Sequence, residues 1–136
     1  MGEGLMVVLD SDILIATLRG DQKASTYVTE LVRDARPMFT TTVNVYELQL
    51  GAYLHHRSEE KLAEVERLLS SLTILSFTLP ASQIAARISK KLVRSGQTVN
   101  FQDIAIASIA LAYRESVATR NVKDFSRFPE LKVVQW

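Results

Sequence analysis

Short apolar runs alternate with helix-period segments along the whole chain, and this alternation restricts the fold more than any other feature. Met6–Leu9 reads as a buried first strand, and Met38–Thr42, Thr73–Phe77 and Ser116–Thr119 as three more, with Leu131–Trp136 as a possible edge strand. Between them, helical spacing predicts helices from Asp10 to about Leu18 and over Ala24–Arg33, Asn44–His56 and Glu59–Leu72. A further helix runs from Pro80 to Gly96, with Ile84, Ala85, Ile88, Leu92 and Val93 inward. Phe101–Tyr113 is apolar nearly all round and reads as a central helix covered on most sides. Strand–helix alternation of this kind predicts an α/β three-layer sandwich with a central parallel sheet of four to five strands. No linker, repeat or low-complexity stretch interrupts residues 1–136, so a single domain is expected.

Composition narrows the function classes. There is no cysteine in the 136 residues, which excludes disulfides, zinc–thiolate sites and a thiol nucleophile. A formal net charge of +1 means that nucleic acid, if bound, meets a local basic patch and not a global field. Met1–Gly4 carries no basic leader region, and no window is long enough to span a membrane, so a cytoplasmic, non-membrane protein is expected.

The chemistry lies at the ends of the predicted strands. Asp10 follows the first, Glu47 the second and Asp103 opens the central helix; Asn121 and Asp124 come just after the fourth. In a parallel sheet these junctions point the same way, so their side chains can meet in one crevice. Each also has a plain structural reading. Asp10 is a good helix N-cap, although Ser11 and Asp12 could cap equally well. Glu47 stands three residues after Asn44, close to a capping box. Asp103 suits the positive end of its helix, and a turn accounts for Asn121 and Asp124, with Thr119 merely ending a strand or orienting a carboxylate. Taken together, three carboxylates within a few ångströms repel one another, by about 4 kcal/mol for a pair roughly 4 Å apart at an effective dielectric of 20. A divalent cation removes that conflict, and an all-oxygen set favours Mg²⁺ or Mn²⁺.

Val8–Asp12, the Thr42–Glu47 segment, Phe101–Ala107 and Thr119–Phe125 resemble the four motifs of PIN-domain ribonucleases, and size and element order resemble the VapC toxins of toxin–antitoxin pairs. The resemblance implies a metal-dependent endoribonuclease acting on an RNA substrate, a homodimer, and a VapB-like antitoxin partner. It implies that Asp10, Glu47 and Asp103 bind metal and act in catalysis. The family's fourth acid falls where Asn121 stands here, and the acid is found at Asp124. Either Asn121 lends a carbonyl or holds a water, or Asp124 supplies the carboxylate. Ser11, Asp12, Thr119 and Asn121 are expected as supporting residues.

Arg120 and Lys123 flank this site and are the expected RNA contacts. Arg19 and Lys23 also qualify, whereas Arg87, Lys90, Lys91 and Arg94 read as a solvated helix face. His55 and His56 read as surface residues. Met38, Phe39, Tyr53 and Leu54 fit either core or a self-association patch. Two other functions fit parts of the pattern: a non-catalytic PIN-fold interaction module, and a haloacid-dehalogenase-like phosphatase with Asp10 as nucleophile. The second lacks its later acidic motif and lysine.

Overall fold

Val7–Leu9 is apolar and fully buried, which is what a central parallel strand requires. The computed structural model describes residues 6–98 and 100–136; the reading of Met1–Gly4 as carrying no leader lies outside them. Elements follow in the order β1 (Val7–Leu9), α1 (Ser11–Leu18), α2 (Gln22–Arg33), β2 (Met38–Thr41), α3 (Thr42–Leu54), α4 (Ser58–Leu69), β3 (Thr73–Leu75), α5 (Leu79–Arg94), α6 (Phe101–Ala112), β4 (Ser116–Ala118), α7 (Val122–Phe125) and β5 (Val133–Val134). The five strands form one sheet in the order β3-β2-β1-β4-β5, with every pairing parallel. The edge strand expected over Leu131–Trp136 is thus present as the two-residue β5.

Successive strand residues face opposite layers. Val8, Val117 and Val133 pack with α5, α6 and α7 on one side. Val7, Leu9, Ala118 and Val134 pack with α1, α2, α3 and α4 on the other. The result is the three-layer sandwich that the alternation predicts. The central helix α6 is buried continuously from Ile104 to Ala110, as its all-round apolar sequence requires. No helix among the described residues is long and apolar enough to cross a membrane.

Three local readings are corrected. Helix α3 begins at Thr42, two residues earlier than expected, because Thr41 is its N-cap and Asn44 closes the capping box; Glu47 has no capping role. Val93 is 76% exposed, since Ala81, Ala85 and Leu92 define the inward stripe of α5 and Val93 lies about 100° past Leu92. The Met38, Phe39, Tyr53 and Leu54 group divides: the first two pack against the core, while Tyr53 and Leu54 are exposed at the end of α3.

Strand order reverses at β1. The chain leaves it towards β2 and β3 and returns on its other side with β4, and such a switch point opens a crevice at the carboxyl ends of the strands. Asp10 and Thr119 are the first residues beyond those ends.

Candidate metal centre

Asp10 caps α1 by accepting a hydrogen bond from the Ser11 amide at 2.8 Å. Capping is only part of its role. The same oxygen, Oδ1, accepts from Asn44 Nδ2 at 3.0 Å, and Oδ2 accepts from the Thr119 hydroxyl at 2.8 Å. A carboxylate offers about four lone-pair positions, and three are taken here. The open one is on Oδ2. Burial, and secondarily the Asp12 charge, push the Asp10 carboxyl from 3.8 up to about 6 despite the three donors.

Hydrogen bonds link Asp10 to Glu47. Asn44 Nδ2 also donates to Ser11 Oγ at 2.9 Å, and Ser11 Oγ donates to Glu47 Oε1 at 2.6 Å. The link between Glu47 and the remaining acids is electrostatic. Burial raises the Asp103 carboxyl above its ordinary value, and the nearby Asp124 and Glu47 charges raise it further. Asp103 is fixed at the start of α6, where Asn100 caps the helix through the Asp103 amide at 2.8 Å. No described side chain donates to its carboxylate. Asp124 pairs with Arg127 at 3.7 Å.

Glu47, Asp103 and Asp124 therefore share one electrostatic neighbourhood, and Glu47 is joined to Asp10 through Ser11. Among the described residues, however, no three of these side chains close on one point as a ready-made cage. The crowding anticipated from the sequence is looser than a three-carboxylate cluster, because Asp10 is drawn into its own hydrogen bonds. This openness suits Mg²⁺, which keeps several waters and is held by one or two carboxylates together with substrate phosphate. Oxygen-only donors with two raised carboxyls fit a hard divalent cation.

Asp12 is held by a different set of donors. It accepts from the Arg120 amide at 2.8 Å and from Trp136 Nε1 at 3.1 Å, and its Oδ2 is 3.0 Å from the Thr119 hydroxyl. The single Thr119 proton therefore lies between Asp10 and Asp12. The Asn121 amide in turn donates to Thr119 Oγ1 at 2.9 Å, while the Asn121 side chain makes no cap for α7. Arg120 stacks 3.8 Å over the Trp136 ring and pairs with Asp21 at 3.6 Å, so it is partly committed within the fold. Lys123 is exposed beside Asp124.

Two residues of this network escape a reading of the sequence. Asn44 is completely buried, bonding Thr41 through its carbonyl and Asp10 and Ser11 through its amide. Thr41-x-x-Asn44 at the end of a strand was the available signal. Trp136 reaches Asp12 across 124 positions, and nothing local announces it.

Comparison with known proteins shows the family of the chain. The PIN domain family profile matches residues 7–131. Ribonuclease VapC10 of Mycobacterium tuberculosis is 32% identical over 127 residues, covering 93% of this chain and 91% of that protein. Ribonuclease VapC2 of Rickettsia felis is 24% identical over 132 residues, covering 97% and 98%. Among solved structures, the DNA-bound VapBC of Salmonella typhimurium matches with a TM-score of 0.87 and 27% identity, covering 96% of this chain and 98% of that one.

Proposed function

Because this chain belongs to the PIN-domain family, we propose that it is a metal-dependent endoribonuclease that hydrolyses RNA phosphodiester bonds as the toxin of a VapBC-type pair. The observation that carries this reading is the grouping of Glu47, Asp103 and Asp124, with Asp10 linked through Ser11, at the carboxyl ends of a parallel sheet.

Glu47, Asp103 and the open lone pair of Asp10 would hold Mg²⁺ or Mn²⁺, with Asp124 as the fourth carboxylate and Asn121 beside it. When bound, such an ion neutralises charge on the scissile phosphate and lowers the pKa of an attacking water. The chain's own residues do the rest. Asn44, Ser11 and Thr119 fix the Asp10 and Glu47 carboxylates in place. A carboxylate of the group, Asp103 or Asp10, would accept the water's proton. Lys123 and Arg120 flank the crevice and neutralise RNA phosphates, so binding weakens with salt. The phosphatase alternative is not favoured, since the later acidic motif and the lysine that it needs are missing from the sequence.

A VapB-like antitoxin and a homodimer belong to the same reading, as does a cytoplasmic site of action. A groove of about 260 Å³ between α1, α3 and α4, floored by Ile15, Leu18, Leu48 and Val65 and reaching Glu47, supports a protein partner near the acids. Exposed Tyr53 and Leu54 support self-association.

Mapping RNA 5′ ends in cells expressing the chain tests the proposal. Wild type should generate new ends at defined sites, and Asp103→Asn should reduce them by at least about a hundredfold while folding normally. Identical end profiles for the two proteins would defeat the nuclease reading.

A further inference from the structure

A second cleft, of about 290 Å³, lies between α5, the end of α6 and the segment after α7. Its floor is apolar, made by Ile84, Ile88, Leu111 and Pro129 among others, and Arg87, Lys91 and Arg127 stand around it with Glu130 as the one acid. Arg127 connects the cleft to the acidic centre, since one Nη pairs with Asp124 at 3.7 Å while the other donates to the Thr98 carbonyl at 3.2 Å. Arg87 and Lys91 lie four apart on α5, so their side chains sit one turn apart on one helix face, and both are exposed. An apolar floor with three cations and an acceptor is the chemistry that recognises a nucleotide: a flat base against carbon, a phosphate against ammonium and guanidinium, and a ribose hydroxyl against a carboxylate.

We infer that this cleft is an RNA subsite, taking one unpaired nucleotide of the strand whose scissile phosphate lies at the acidic centre. Arg87 and Lys91 hold its phosphate, the apolar floor takes the base, and Glu130 accepts from the 2′-hydroxyl. Arg127 is the bridge that keeps subsite and acids in register. The face that reads as solvated in the sequence thus splits, with Arg87 and Lys91 turned to the cleft and Lys90 and Arg94 outside its lining. This inference rests on the nuclease reading above.

The test measures binding and cleavage of a labelled single-stranded RNA. Binding is followed on the Asp103→Asn background with and without Arg87→Ala/Lys91→Ala, across a salt series. Two lost phosphate contacts should reduce the slope of log K against log salt by about 1.4, at roughly 0.7 per contact on a single strand. In the otherwise wild-type enzyme the double substitution should raise KM about tenfold and leave kcat within about twofold, because the contact is made equally in ground and transition states. Arg33→Ala/Arg57→Ala removes the same charge elsewhere and should change neither quantity. If wild type cleaves RNA but the cleft variant keeps its slope and KM, the subsite is overturned and the nuclease reading survives. If wild type neither binds nor cleaves RNA, both fall.

Discussion

Asp10→Asn should lower RNA cleavage at least about a hundredfold and, in the absence of divalent metal, should make the protein harder to unfold at neutral pH. The two effects have one cause. Burial pushes the Asp10 carboxyl from 3.8 up to about 6, with the Asp12 charge adding to it. Between those values the folded state holds a proton that the unfolded chain has lost. The stability contributed by this group is therefore complete below pH 3.8 and is lost as pH rises through about 6. With the carboxylate fully ionised at pH 7, the separation of the two values corresponds to about 3 kcal/mol against the fold.

Asparagine removes the charge and keeps the shape. Its carbonyl still accepts from the Ser11 amide and Asn44 Nδ2. The Thr119 hydroxyl swings its proton to Asp12 Oδ2, already 3.0 Å away, and accepts from the new amide. A gain of about 2 kcal/mol, or about 6 °C in Tm, is expected for the metal-free protein at pH 7. It should shrink at pH 5, where wild-type Asp10 is largely protonated. Thermal unfolding of both proteins in chelator at the two pH values checks this; a variant less stable than wild type at pH 7 would contradict it. Activity with metal should fall at least about a hundredfold, so stability and function oppose each other at this position.

Asn44→Asp is the second large effect and has the opposite sign. Asn44 is completely buried, and its amide donates at 3.0 Å to Asp10 and at 2.9 Å to Ser11. The substitution is isosteric but turns both donors into acceptors and sets a carboxylate against Asp10. Two like charges at that range cost about 4 kcal/mol at an effective dielectric near 20, unless one takes up a proton. A loss of about 3 to 4 kcal/mol at pH 7, largely recovered at pH 5, is expected in denaturant titrations. The recovery separates a charge effect from a packing one, because a packing defect would persist at low pH. Unchanged stability at pH 7 would show that Asn44 does not hold Asp10 in place.

Those two positions also show what a sequence of this kind reveals and what it hides. The strands were legible because β1 and β4 are short apolar runs buried on both faces, and α6 because seven consecutive buried residues leave no polar stripe. Asp10, Asp103 and Asp124 stood out because they follow a strand or stand in the first turn of a helix whose direction the parallel sheet fixes, whereas Glu47 lies one turn further on, inside α3. Thr119 was legible as a residue able to orient a carboxylate, and it bonds Asp10 across 109 positions; the bonds of Asn44 to Asp10 across 34 positions and of Trp136 to Asp12 across 124 were hidden because they close between distant residues. The start of α3 was misjudged for a local reason. Thr41-x-x-Asn44 and Asn44-x-x-Glu47 are both plausible caps. The choice between them depends on where β2 ends, and β2 continues in register with β3 as far as Thr41, paired with Leu75.

Calorimetric titration of Mn²⁺ into the purified protein at pH 7 tests most directly whether these acids form a cation site. Wild type should show a saturable site that is lost or weakened at least about tenfold in both Asp103→Asn and Glu47→Gln, with thermal unfolding showing that both variants remain folded. The contrary result is the same binding isotherm in all three proteins, or no binding in wild type, and either would mean that the carboxylates do not act together on a metal.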